Sequence, residues 1–252
     1  MEAAAAPPPP PPAEPRLSVG GVISEAFDLY GKHAAALLGT AVIVFVVAGV
    51  LQGILTDDHG IVLRVIASII GLIASTLYTG FVVTLVADVR DGRQDFSVGQ
   101  MISSASEAIP RLIGNAILFG IAVGIGFILL IVPGLILLTF WSVGAPSIVV
   151  ENAGPLEAFG RSYCLVKGEA WSVFGALVIV FLILVAIGIV LGIIATPIGN
   201  GATVVASIIS NIITAPVFAI AVSVMFFELG GGRPGGASPA LTESPPPAAP
   251  EA

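Results

Sequence analysis

Four stretches of this chain hold no Asp, Glu, Lys or Arg: residues 34–56, 65–87, 112–150 and 170–227, which are 23, 23, 39 and 58 residues long. A helix needs roughly 20 apolar residues to cross a hydrocarbon core of about 30 Å. The first two stretches each fit one crossing. The third, as one straight helix, would reach about 58 Å, nearly twice the core. It must turn back, and Val132-Pro133-Gly134 carries the residues that punctuate helices. The fourth finds its turn at Thr196-Pro197-Ile198-Gly199-Asn200-Gly201. Six spans follow, at about 34–55, 61–88, 112–131, 134–150, 173–195 and 202–227. The fourth is short and contains Pro146, which predicts a kink or a re-entrant element there.

Strands compete for these segments because Val and Ile are abundant. A membrane barrel alternates apolar and polar residues over about ten positions, and Val178-Ile179-Val180-Phe181-Leu182-Ile183-Leu184-Val185 does not alternate. In lipid, backbone groups must bond within their own segment, so helices are expected. The rest of the composition agrees. Only 10% of residues are charged and the net charge is −7, against about a quarter charged in a soluble domain. That balance leaves no basic footprint for nucleic acid, and a single cysteine forms no internal bridge.

Orientation follows from the basic residues, because Lys and Arg accumulate on the cytoplasmic side. With six spans, Arg16, Lys32, Arg90, Arg93, Arg111, Arg161, Lys167 and Arg233 share one side, and only Arg64 falls opposite, beside Asp57 and Asp58. Both termini are therefore expected in the cytoplasm. Residues 1–15 have neither the basic start nor the apolar core of a cleavable signal. Rich in Pro and Ala, residues 1–16 read as a disordered tail, and residues 230–252, of Gly, Pro, Ala and Ser, as another. Between them, 17–229 is the membrane domain.

Each pair of spans is preceded by a segment suited to the membrane surface. Val19, Val22, Ile23, Ala26, Phe27 and Tyr30 recur at helical spacing, as in a helix lying in the cytoplasmic interface or packed on the bundle. Ser18-Val19-Gly20-Gly21-Val22-Ile23-Ser24 is echoed by Ser97-Val98-Gly99-Gln100-Met101-Ile102-Ser103, and Glu25-Ala26-Phe27 by Glu157-Ala158-Phe159. Ser97 and Gln100 have the spacing of a capping box. The fold expected is all-α and integral to the membrane: six transmembrane helices as three hairpins, each preceded by a cytoplasmic amphipathic helix near 17–31, 96–109 and 155–171. The first helix of each hairpin carries a pair of glycines four apart, Gly49 and Gly53, Gly120 and Gly124, Gly188 and Gly192, a spacing that lets helices approach closely.

Chemistry is harder to find. No charged side chain falls near a midplane, where ion-coupled carriers usually keep one. Metal binding fails because His33 and His59 lie on opposite sides of the membrane and Cys164 is alone. No phosphate-binding Gly-Lys-Ser loop or Gly-x-Ser-x-Gly elbow occurs. No catalytic residue or cofactor is assigned, and the chain is read as not an enzyme. Asn211, Thr214 and Pro216 of the sixth span, with Ser142, Pro146 and Ser147 of the fourth, are candidates to line a transport cavity; a buried asparagine bonded across helices is the structural alternative. In the third surface segment, Pro155 suits the first position of a helix, with Leu156, Phe159, Tyr163 and Val166 as its apolar face. Arg161 and Lys167 there are placed to reach lipid phosphates, and Tyr163 and Trp171 suit the interface.

These last residues carry a resemblance. Pro133-Gly134 and Trp141, then Ala145-Pro146-Ser147-Ile148-Val149-Val150-Glu151, then Gly154-Pro155-Leu156-Glu157-Ala158-Phe159-Gly160-Arg161-Ser162-Tyr163-Cys164-Leu165-Val166-Lys167-Gly168 and Trp171 form the pattern. It resembles the membrane domain attached to some bacterial glycerophosphodiester phosphodiesterases, and the free-standing six-span proteins similar to it. The likeness spans roughly 17–229 and is most specific over 145–171. It implies a bacterial cell-membrane location and a membrane domain without an active site, since that family's catalysis belongs to a separate barrel. The expected partners are membrane lipids or a protein on the cytoplasmic side, and the expected role is a lipid-contacting or partner-anchoring module, with small-molecule or lipid transport as the alternative.

Overall fold

A computed structural model describes residues 17–56, 60–92, 98–198 and 200–232. Among these the chain is helical throughout, with no strand. In order, the helices are α1 (Val19–Lys32), α2 (Ala34–Thr56), α3 (Ile61–Arg90), α4 (Val98–Leu129), α5 (Ile131–Trp141), α6 (Gly144–Val150), α7 (Glu157–Val166), α8 (Ala170–Ala195) and α9 (Asn200–Glu228), with a 3-10 turn at Thr196–Ile198. The long helices α2 and α3 pack on each other, as do α4 and α5, and α8 and α9.

Helix α1 starts at Ser18, whose hydroxyl accepts the Gly21 N–H at 3.0 Å, an N-cap that satisfies a donor the helix cannot. It buries Val22, Ala26 and Leu29 against α9, α8 and α2, while Phe27 from the same expected stripe stays exposed. Of the two alternatives read from its sequence, α1 takes the packed one. His33 interrupts it for one residue before α2 begins.

Burial is unequal along the bundle. At the end that carries residues 17 and 232, the near end, one core joins Leu37, Ala41 and Phe45 of α2, Tyr78 to Val86 of α3, Val173 to Val180 of α8 and Ala219 to Phe226 of α9. Tyr78 anchors it, its hydroxyl donating to the Leu37 carbonyl at 3.1 Å and its ring 5.3 Å from that of Phe45. Toward the far end apolar residues turn outward instead, including Val50, Leu51 and Ile54 of α2, Val62 and Ile66 of α3, and Ile193 and Ile194 of α8. Such surface has no place in water and suits lipid.

Three boundaries differ from those expected. Of the expected surface segment, residues 98–109 form one helix with the third span, α4, running through Pro110 and Arg111. A proline inside a helix removes one hydrogen bond without forcing a reversal, and the charges mark where the chain leaves lipid rather than where it bends. The expected capping box begins at Ser97, outside the described residues. The reversal between α4 and α5 falls at Leu130, alone and extended (φ −166°, ψ 148°), not at Val132-Pro133-Gly134. Pro133 sits in the first turn of α5, where a missing N–H costs little. Gly126 faces Gly134 across this hairpin, so closely that a Cβ on Gly126 would lie 3.0 Å from the Gly134 Cα. Only glycine permits that approach.

The third lies in the fourth span, where the interruption expected from Pro146 falls ahead of it. The span is two helices, α5 and α6, broken at Ser142 and Val143. The cause is four residues downstream. In a continuous helix the ring of Pro146 would collide with the Ser142 carbonyl, its i−4 neighbour; starting a new helix at Gly144 puts Pro146 in a first turn instead.

Candidate functional site

The break in the fourth span frees backbone groups, and α7 supplies partners for them. Ser162 Oγ accepts the Val143 N–H at 3.2 Å and donates to the Phe140 carbonyl at 2.8 Å. Within the span, Ser142 Oγ donates to the Thr139 carbonyl and Ser147 Oγ to that of Gly144. To reach the break, α7 buries Ala158, Ser162 and Val166, small or short residues spaced four apart on one face. The apolar face expected from sequence was another: of its members Val166 is buried and Phe159 is partly covered, 4.6 Å from the Trp141 ring, while Leu156 and Tyr163 point outward.

Between α6 and α7, the turn at 151–156 is held from three directions. Glu151 accepts two hydrogen bonds from Arg161, Nε and Nη2 each at 2.6 Å, and a third from the Gly232 N–H at 3.0 Å. Asn152 takes a positive φ of 60°, which asparagine tolerates, and its carbonyl accepts from Arg111 Nη1 at 2.8 Å. Asn115, buried on α4, donates to the Pro155 carbonyl at 3.0 Å. The Arg161 side chain is only 13% exposed, and its hydrogen bond to Glu151 raises its pKa further above the ordinary value. Arg161 is thus placed in an ion pair, with little of its side chain left at the surface. Sequence reading assigned no role to Glu151, Arg111 or Ser162; the signal for Glu151 was an acid just before α7 and a base, Arg161, within it, ten residues apart.

What remains on the outer side of this elbow is a compact set. Leu156 is 73% exposed, Trp171 86% and Tyr163 49%; Lys167 and Cys164 are exposed beside them. Tyr163 leans on Phe140 with rings 5.1 Å apart, and Trp171 meets Phe174 edge-on at 6.2 Å. Lys167 makes no ion pair among the described residues. Elsewhere at the near end Arg90 pairs with Glu25 at 2.5 Å and lies over the Phe227 ring at 5.2 Å, and Lys32 pairs with Asp28.

The groove that Asn211 borders takes in none of the other residues proposed for a transport cavity. Asn211 lines a groove of about 190 Å³ between α2 and α9, with Phe45, Gly49, Gln52, Gly53, Val204, Ser207 and Ile208. None of Ser142, Pro146 and Ser147 borders it; Pro146 and Ser147 are buried in α6. Thr214 bonds the Ser210 carbonyl, and Pro216 is buried. Hydropathy alone could not reveal which neighbour α9 turns Asn211 toward.

The glycine pairs divide in the same way. Gly49 packs under Ile208, where a Cβ would come within 2.5 Å of Cγ1, and Gly53 lies by Val204. Around Gly120, Gly124, Gly188 and Gly192 a Cβ would meet nothing within 4 Å, so among the described residues these glycines seat no neighbouring helix. Among the described residues no group of three or more His, Cys, Asp or Glu side chains is placed to hold a metal ion.

Six helical segments, Ala34–Leu55, Val62–Arg90, Ala108–Leu129, Ile131–Val150, Ala170–Ala195 and Val204–Glu228, are long and apolar enough to cross a bilayer. With the lipid-suited far half, they define a multi-pass α-helical membrane protein. A model of the Uncharacterised protein family (UPF0259) matches residues 40–220, and the chain belongs to that family. The match covers most of the membrane domain and makes no link to glycerophosphodiester phosphodiesterases. No curated protein and no solved structure matches the chain.

Proposed function

We propose that the chain is a non-enzymatic membrane module of the bacterial cell membrane whose near end faces the cytoplasm and anchors to anionic lipid. The observation that carries this is the exposed set Leu156, Tyr163, Lys167 and Trp171 beside the elbow. Aromatic rings of this kind partition to the boundary between hydrocarbon and headgroups, and a lysine among them lays its stem on apolar surface and lifts its ammonium to the phosphates. The bias of Lys and Arg to one side supports the orientation, with both termini in the cytoplasm. The packing of α2 on α3, α4 on α5 and α8 on α9 supports three hairpins, each led in by a surface segment: α1, the start of α4, and α7. The likeness of residues 145–171 to the phosphodiesterase-associated membrane domain supports the anchoring of a protein partner on the cytoplasmic side as a second part of this role.

The test uses the full chain purified from membranes containing phosphatidylglycerol. Lys167→Gln combined with Trp171→Ala should lower the co-purifying anionic lipid at least about fivefold, the effect of roughly 1 kcal/mol per basic residue at such a surface. Arg161 is left in place because its substitution would disturb the elbow itself. Undiminished lipid recovery would refute the anchoring role.

A further inference from the structure

The groove between α2 and α9 holds the least expected polar chemistry in the chain. Asn211 lies seven residues inside the apolar segment Val204–Glu228, about 10 Å along the helix and so within a hydrocarbon core of about 30 Å. It is exposed, and its carboxamide finds no hydrogen-bond partner among the described residues. Ser207, one turn away, donates to the Val204 carbonyl at 2.7 Å, which leaves its oxygen able to accept. Gln52 borders the same groove from α2. A bare carboxamide at this depth costs free energy unless something supplies its hydrogen bonds, and lipid tails cannot.

We propose that this groove binds an uncharged lipid through a hydroxyl or carbonyl oxygen, held at Asn211 and flanked by Ser207 and Gln52. Lack of charge follows from the lining, which contains no Asp, Glu, Lys, Arg or His; a headgroup anion drawn to this depth would have no counter-ion. The depth makes the same selection, because the esters of an ordinary phospholipid stay at the edge of the core, whereas the polar groups of a diacylglycerol or an isoprenoid quinone travel further in. A helix from a second copy fits poorly. Helices about 10 Å across approach closely over glycines, and here Ile208 and Val204 of α9 already occupy Gly49 and Gly53.

The experiment places the full chain in lipid nanodiscs with a photoactivatable diacylglycerol, a photoactivatable quinone or a photoactivatable phosphatidylglycerol, and maps the labelled peptides. Diacylglycerol or quinone should label 204–211 and 45–53 above the level on the lipid-facing stretch 181–194 of α8, and whichever does so identifies the source. Asn211→Leu should cut that excess about fivefold, the scale of one hydrogen bond within a membrane, and Asn211→Gln should restore it. Labelling of 181–194 is the internal control for an intact fold. Equal labelling by phosphatidylglycerol, an excess that survives Asn211→Leu, or an Asn211→Cys variant that cross-links to a second copy in the nanodisc would each overturn the proposal.

Discussion

Replacing Ser162 by Ala removes one oxygen and tests the whole account of the fourth span. Ser162 and Val143 are fully buried. Without Oγ the Val143 N–H, now 3.2 Å from it, would be an unsatisfied buried donor costing roughly 1–3 kcal/mol. The Phe140 carbonyl would lose its 2.8 Å donor in a partly buried site, about a further 1 kcal/mol. Together the substitution should destabilise the protein by about 2–4 kcal/mol, read by thermal and detergent-denaturant unfolding of the purified chain in micelles. Pro146→Ala should change that figure. With an N–H at position 146 and no ring against the Ser142 carbonyl, α5 and α6 become able to close into one helix, and the freed groups find partners within it. On that background Ser162→Ala should cost about 1–2 kcal/mol less, a coupling of the size seen between residues of one network. Two results would sink the reasoning: a Ser162→Ala protein within about 0.5 kcal/mol of the parent, or strict additivity with Pro146→Ala.

The remaining predictions concern the elbow, the hairpin and the open glycines. Glu151→Ala and Arg161→Ala should each cost about 2–3 kcal/mol, while the double variant costs little more than either, because each single change strands the other partner in a mostly buried place; a double-variant cycle on unfolding midpoints checks this. Gly134→Val should prevent stable folding, since its Cβ would fall 2.6 Å from Phe127 Cγ, and the yield of monodisperse protein after extraction reports it. Gly120→Ala and Gly188→Ala, where a side chain meets open space, should instead leave stability level or raise it by up to about 1 kcal/mol through helix propensity. A loss at either would mean that a neighbour packs there in the membrane.

Most of the architecture was legible because a bilayer imposes a length on apolar segments. The charge-free stretches and the turn at 196–201 located α2, α3, α8 and α9 within a few residues, since the charges that bound those spans fall within a turn of the helix ends. They do not coincide in α4, which carries Arg111 and Pro110 without interruption. The reversal expected at Val132-Pro133-Gly134 lies at Leu130 instead, because Gly134 serves as the seat for Gly126 within α5 and not as the turn. Pro146 did announce trouble in the fourth span, although the break lands at its i−4 neighbour and not at the proline. Arg161 shows the limit for site residues. Its spacing on α7 suited a lipid contact equally well, and only the fold brings Glu151 and the Gly232 amide to the same point. Asn211 was visible as a polar residue in an oily span, but the choice between α2 and α6 as its neighbour depends on the rotation of α9, which an almost uniformly apolar sequence leaves unmarked.

The packing gradient from near end to far end has a mechanical consequence. The molecule resembles a bouquet tied at the stems: the knot of Tyr78, Leu37 and Phe226 fixes the helices at the near end, and toward their other tips more of the apolar side chains turn outward. A bilayer that thins or thickens would be met by those tips spreading or drawing together, at a fraction of a kcal/mol per Å, while the elbow keeps its geometry.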